Sequence, residues 1–322
     1  MNKPPTTKAV IAAAGFGTRF LPQTKAVPKE MLPLVDKPVL QHIVEEVVGA
    51  GIKDIIIVTV DSKRAIEDHF SEANVELTAN LRAGGKGHLL REANKLSKLA
   101  NFTFVKQHGT YGNAAPLISA RHLIEREPFI YAFADDFVVA TPTRFQQLIA
   151  THQTYGGTVL TGVVRNKHED YARYGFVGGE AIGDNVIAVD TIIEKPGNAA
   201  TSPSNLASVS GYIIDPVIFE YLDRIKSELK PGEEFAIQSA MQLMIRDGHG
   251  VFTRQISNGV FYDTGNKLEY VKAVIDFALI HPEIGEEFRA YLNDMRVTAP
   301  RNIRSAVIRR PRKAQAKQPT RV

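Results

Sequence analysis

The 322 residues are long enough for one large α/β domain or two smaller ones, and an apolar fraction of 44% supports a full core. There is no cysteine, which excludes disulfides, thiolate metal sites and thiol nucleophiles. The net charge of +4 is deceptive: residues 296–322 hold nine Lys/Arg and no acid, leaving 30 basic against 35 acidic side chains, or −5, for residues 1–295. The folded part is therefore mildly acidic. The tail has three prolines and no aromatic residue to stack on bases, so it is expected to be disordered and nucleic acid is not an expected partner. No stretch approaches the eighteen apolar residues of a membrane span, and the apolar run 9–15 is too short for a signal-peptide core. A cytoplasmic location is expected.

The apolar run 9–14 predicts a short buried strand, ending in Gly15 and Gly17, which permit a tight turn and close approach of the backbone to a ligand. Arg19, Lys25 and Lys29 follow, and backbone N–H groups beside mobile cations suit a polyphosphate. Neither familiar glycine motif fits. The dinucleotide fingerprint requires a third small residue where Phe20 stands, and the P-loop's Gly-Lys-Ser/Thr occurs nowhere in the chain.

Apolar spacing at 39, 40, 43, 44, 47 and 48 predicts a helix, with Pro38 at its start and Gly49 and Gly51 at its end. The β-branched run 55–60 reads as a strand buried on both faces of a parallel sheet. A helix over 63–70, a surface loop over 82–88 and a strand over 102–106 follow. Then come a helix at 117–124, a strand at 129–134, a helix at 143–155 and a strand at 158–164. This alternation predicts a doubly wound, Rossmann-like sheet with helices on both faces. Beyond residue 165, strands at 176–177, 186–194 and 206–214 suggest an antiparallel insertion or sheet extension. Helices resume at 216–225, 235–247 and 268–278.

Several carboxylates stand at predicted strand ends. Asp135-Asp136 follow the strand 129–134, where ligands bind in such sheets, and a hard oxygen donor there suits Mg²⁺. Glu194-Lys195-Pro196 closes the strand 186–194. The nine histidines do not cluster at metal-ligand spacing, and packing explains His42 and His69.

The string Gly15-Phe-Gly-Thr-Arg-Phe-Leu-Pro22, continued through Pro28-Lys29-Glu-Met-Leu-Pro-Leu-Val-Asp-Lys-Pro38, resembles the signature of the sugar-1-phosphate nucleotidyltransferases. It is specifically similar to the bacterial-type UTP–glucose-1-phosphate uridylyltransferases, over roughly residues 8–292. The resemblance implies the nucleotide-diphospho-sugar transferase fold: a mixed sheet with an inserted antiparallel sugar-binding portion. It implies one catalytic domain over 1–295, with nucleotide-binding, sugar-binding and C-terminal helical parts at about 8–165, 166–265 and 266–295. It also implies Mg²⁺ as cofactor, UTP and glucose 1-phosphate as substrates, and a homo-oligomer, dimeric or tetrameric. By the same resemblance, Ala13, Ala14, Gly15, Gly17, Thr18, Arg19, Lys29, Gln107 and Gly112 bind the nucleotide, with Gln107 reading the uracil edge. Gly175, Glu194 and Lys195 hold the sugar phosphate, Asp135 and Asp263 the metal, and catalysis rests on Arg19, Lys29, Asp135 and Lys195.

That reaction needs no general base, because its nucleophile is a phosphate oxygen already anionic at neutral pH. The difficulty is bringing two polyanions together, which cations and positioning solve. The chain departs from the family's pattern in three places. Gly112-Asn-Ala-Ala-Pro116 stands where Gly-Leu-Gly-His-Ala is common, Glu234-Phe-Ala-Ile-Gln238 where Glu-Ile-Gln-Leu-Thr-Asp is usual, and Ser210-Gly211-Tyr212 for Gly-Arg-Tyr. These leave open another nucleotide (dTTP, CTP or GTP), another sugar 1-phosphate, or a catalytically weak regulatory homologue.

Overall fold

The computed structural model describes residues 5–109, 111–124 and 126–297. The tail beyond residue 297 lies outside the described residues. The chain divides into two compact units, residues 1–274 and 275–322.

The first unit begins with β1 (Lys8–Ala12), whose central residues are fully buried. A small ribbon of β2 (Pro33–Leu34) and β3 (Lys37–Pro38) leads into α1 (Val39–Gly49). Next come β4 (Asp54–Thr59), α2 (Arg64–His69), α3 (Val75–Ala83), α4 (Gly87–Lys95) and β5 (Asn101–Lys106). The chain continues through α5 (Ala115–Ala120), β6 (Phe129–Phe133), β7 (Asp136–Ala140), α6 (Arg144–Tyr155) and β8 (Thr158–Val164). After these stand β9 (Gly175–Gly183), β10 (Val186–Glu194), β11 (Leu206–Ile214), α7 (Ile218–Glu228) and α8 (Ile237–Arg246). Finally β12 (Val251–Gln255), β13 (Gly259–Asp263) and α9 (Lys267–Ile280) close the unit, which ends within α9. In the second unit α9 is followed by α10 (Gly285–Val297). A side chain at Gly285 would meet the Leu279 carbonyl at 2.7 Å, so the turn between these helices needs a glycine.

Nine strands form one mixed sheet in the order β5-β4-β1-β6-β11-β8-β12-β10-β9. The first four are parallel, β11 runs antiparallel to β6 and β8, and β9 and β10 extend the sheet antiparallel at the far edge. The order turns back at β1, which lies between β4 and β6. Ligands bind outside the carboxyl ends of strands at such a reversal. One large cluster, from Val10 through Tyr131, Leu160 and Tyr212 to Phe235 and Met244, packs β1, β6, β8 and β11 against α5, α7 and α8.

The predicted alternation of strands and helices is present, and the antiparallel portion is an extension of the main sheet. The segment 82–88 is not a loop: residues 82–83 end α3, 84–86 form an exposed turn, and 87–88 begin α4. Only Leu81 and Leu90 of these two helices are buried, so no broad apolar stripe marks them in the sequence. The antiparallel ribbon of β7 and β13 also escaped the pattern reading; it places Asp136 opposite Asp263.

Candidate active site

The crevice at the end of β1 is built by backbone pairing. Ala13 N–H donates to the Val58 carbonyl at 2.8 Å, and Ala134 N–H to the Ala12 carbonyl at 3.2 Å. The chain then turns at Gly15 and at Gly17, which has φ +62°. A Cβ on Gly17 would lie 2.9 Å from Lys29 Cβ, so glycine is required both for its backbone and for the close passage of Lys29.

Beneath this loop lies a buried ion pair that sequence reading missed. Lys63 Nζ donates to Glu30 Oε1 and Oε2 at 2.9 and 3.1 Å, and to the carbonyls of Ala13 and Gly15. Burial raises the Glu30 pKa, opposed by Lys63 and Lys29; burial lowers that of Lys63, opposed by Glu30. Glu30 is part of the opening motif, but nothing in the sequence links it to a lysine 33 residues away.

On the β6 side, Lys29 Nζ donates to Asp135 Oδ2 at 2.5 Å. Burial alone would raise the Asp135 pKa; the Lys29 ammonium, with Arg19 and Lys63, brings it below the ordinary value. Asp263, at the end of β13, is held by the Tyr174 hydroxyl at 2.8 Å and by Gly265 N–H at 3.1 Å. Its pKa is raised, first by burial and then by the neighbouring Asp135 charge, against the Tyr174 hydrogen bond. A Cβ placed on Gly265 would sit 2.7 Å from Asp135 Oδ2 and 3.2 Å from Asp263 Oδ1. Two carboxylates therefore converge on one small space, a donor set that suits a hard cation.

Behind them Asp136 belongs to a second buried network. Arg144, fully buried, donates from Nε and Nη2 to Glu46 at 2.9 and 2.7 Å, and from Nη1 to the Ser210 carbonyl at 2.7 Å. Nη1 also lies 3.4 Å from Asp136. Burial pushes the Asp136 pKa up to about 7; Arg144 opposes the shift and Asp135 adds to it. Gly211, with φ +95°, lies against the guanidinium, where a Cβ would come within 2.9 Å of Arg144 Cζ, so this packing favours glycine in the middle of the Ser210-Gly211-Tyr212 departure.

The residues expected to hold the sugar phosphate lie where β9 pairs with β10. Gly175 pairs with Glu194 across β9 and β10, and a Cβ on Gly175 would lie 2.7 Å from Glu194 Oε2. Lys195 has a left-handed backbone, φ 48°, fixed by its N–H on the Tyr174 carbonyl at 3.2 Å. Glu194 and Lys195 approach each other at 3.3 Å and remain about half exposed.

One cleft of about 670 Å³ joins these parts. Of the residues proposed from sequence, Ala14, Gly15, Arg19, Lys29, Gln107, Gly112, Asp135, Gly175, Glu194, Lys195 and Asp263 line it. Ala13 is fully buried behind it with its carbonyl bonded to Lys63, and Gly17 and Thr18 stand off its wall. Residues not singled out in sequence, among them Phe133, Ser208 and Asn266, also contribute.

The nucleotidyl transferase family model matches residues 8–278. A UTP–glucose-1-phosphate uridylyltransferase of Staphylococcus saprophyticus is 40% identical over 288 residues, covering 89% of this chain and 98% of that protein. Among solved structures, UTP-bound UGPase from Acinetobacter baumannii superposes with a TM-score of 0.81 at 30% identity, over 90% of this chain and 99% of the other. A UDP-glucose pyrophosphorylase complexed with UDP-glucose gives 0.73 at 33% identity, over 84% and 98%. With the glycine turn, its lysine and the paired carboxylates gathered at the end of β1, the chain belongs to the nucleotidyl transferase family.

Proposed function

We propose that this chain transfers the uridylyl group of UTP to glucose 1-phosphate, making UDP-glucose and releasing pyrophosphate. The observation that carries the reading is a single cleft lined by Arg19, Lys29, Asp135 and Asp263 together with Glu194 and Lys195. In this reaction the phosphate oxygen of glucose 1-phosphate bonds to the α-phosphorus of UTP, and the bond from that phosphorus to the β-phosphate oxygen breaks. No proton transfer is required.

Lys29 and Arg19 meet the triphosphate, and Lys195 the sugar phosphate, so that cations stand between the two anions. Lys29 donates to Asp135, where its ammonium offsets a buried carboxylate beside the proposed phosphate position. Asp135 and Asp263 would hold Mg²⁺, which supplies positive charge at the reacting phosphates. Among the described residues no group of three or more His, Cys, Asp or Glu is gathered to hold a metal, so phosphate and water oxygens would complete the coordination. Glu194 accepts hydrogen bonds from sugar hydroxyls, and Gln107 with the backbone at Gly112 faces the base.

We take residues 1–295 as the catalytic domain. All the named site residues fall between Ala13 and Asp263, so a chain ending at Met295 is expected to keep its turnover. No described helix is long and apolar enough to cross a membrane. A cytoplasmic location fits the substrates, and a dimer or tetramer is checked by sedimentation. The test of function is pyrophosphate release across several nucleoside triphosphates and sugar 1-phosphates, with and without EDTA. UTP with glucose 1-phosphate should give the highest kcat/KM, and EDTA should abolish turnover. Preference for dTTP, a purine or another sugar would overturn the named substrates.

A further inference from the structure

Two of the three departures from the family's pattern touch each other. Asn113 lies in the Gly112–Pro116 segment and Gln238 in the Glu234–Gln238 segment, 125 residues apart, and both line the cleft. Ile237 N–H donates to Asn113 Oδ1 at 2.8 Å, and Asn113 Nδ2 donates to Gln238 Oε1 at 3.0 Å. The turn that carries Asn113 is pinned to the start of α8. Phe235 N–H donates to the Tyr111 carbonyl at 3.0 Å, and Ala114 N–H to the Phe235 carbonyl at 2.9 Å.

These bonds set both amide orientations. A backbone N–H can only donate, so Asn113 must turn its oxygen to Ile237 and its nitrogen to Gln238. Gln238 must then answer with its oxygen, which leaves its NH₂ as the end available to the cleft. Among the described residues no protein acceptor takes that NH₂.

We propose that Asn113 and Gln238 form a specificity-determining pair for the nucleotide base: Asn113 orients the Gln238 amide, which presents donors to a pyrimidine carbonyl oxygen. This deepens the function proposed above and rests on its placing of the base beside Gln107 and Gly112. Uracil offers an oxygen where cytosine offers an amino group, so a fixed donor favours UTP over CTP. The pair replaces motif residues at both loci at once, as an interlocking unit must.

Because the two amides fix each other's orientation, a substitution at one should re-aim the other. Asn113→Asp keeps an oxygen for Ile237 N–H but puts a carboxylate oxygen against Gln238 Oε1. The Gln238 amide should then rotate, donate to that carboxylate and turn its own oxygen toward the base. The expected result is a rise of about tenfold or more in the CTP:UTP ratio of kcat/KM, the scale of one exchanged hydrogen bond. The KM for glucose 1-phosphate should stay unchanged. Gln238→Met, which has no donor, should lower the UTP:CTP preference by about tenfold without reversing it.

Wild-type turnover on the nucleotide panel is measured first and decides the underlying function; the variants' ratios then decide the pair. A wild-type UTP:CTP ratio in either folded variant overturns the proposal. So does a change confined to the sugar 1-phosphate panel, which would place the amide on the sugar. A crystal structure of the wild-type chain with UTP gives a check independent of variant folding: Gln238 Nε2 within hydrogen-bond distance of a uracil oxygen supports the pair, and a nitrogen out of reach refutes it.

Discussion

Two groups of residues at the cleft are built from different interactions. The group proposed to meet phosphate and metal rests on buried or largely buried ion pairs: Lys63 with Glu30, Arg144 with Glu46, and Lys29 with Asp135. The group proposed to meet base and sugar uses the neutral Asn113–Gln238 pair and the half-exposed Glu194–Lys195 contact. Fixed charge in a poorly solvated setting is what a reaction between two polyanions needs, and its partners hold it in place before substrate arrives. Recognition needs directional hydrogen bonds, which a single amide rotation can re-aim. Changes in the first group should therefore damage stability or rate, and changes in the second should alter substrate choice.

The largest expected effect tests the buried group. Lys63→Met leaves the Glu30 carboxylate without its main partner, and breaking such a pair costs about 3–5 kcal/mol. Urea unfolding of the variant should show this loss at pH 8. The loss should shrink as pH falls, because the burial that raises the Glu30 pKa favours a neutral carboxyl in the variant. An unaltered midpoint at pH 8 would mean that the ion pair does not hold the loop.

Next comes rate. Asp135→Asn should keep the fold and lower kcat by about a hundredfold or more, the scale of losing one electrostatic stabiliser. Near-normal turnover at saturating Mg²⁺ would remove Asp135 from the metal site. A smaller effect appears on acidification. His42 is stacked on Phe137 at 5.3 Å between ring centroids. Burial lowers its pKa from 6.5 to about 4. Between those values the unfolded chain binds the proton more readily, so stability is lost as pH falls from 6.5 toward 4. The loss at pH 5 should be on the order of 1–2 kcal/mol and should flatten in His42→Gln, as followed by pH-dependent denaturation.

The smallest effect sharpens the contrast from the exposed side. Glu194→Gln should raise the KM for glucose 1-phosphate by about tenfold, one charged hydrogen bond's worth, while leaving the unfolding free energy within about 0.5 kcal/mol. A large fall in stability instead would show that Glu194 is structural and that the two groups are not built differently.

Part of the cleft's lining was legible because its signals are local. Gly15, Gly17, Arg19 and Lys29 lie within one short segment, and Asp135 directly follows a strand that its own apolar run announces. Glu30 and Lys63 were not legible, since an ion pair across 33 residues leaves no period and no motif. Asp263 could be named only through resemblance; the β7–β13 ribbon that brings it to Asp136 is two strands of ordinary apolar residues. The three departures showed where the chain differs from its family, without showing that two of them are one unit.

The sequence by itself determined the alternation of strands and helices, the order of the motifs and the acidic balance of residues 1–295. Burial preferences and backbone conformations are set residue by residue or over one turn, so they can be read along the chain. Only the tertiary structure decided which charges pair. It put Arg144 beneath Gly211, Tyr174 on Asp263, and the Asn113 amide on Gln238. Those contacts depend on strand order and register, through which segments far apart in the chain come within 3 Å of one another, and no local pattern encodes that distance.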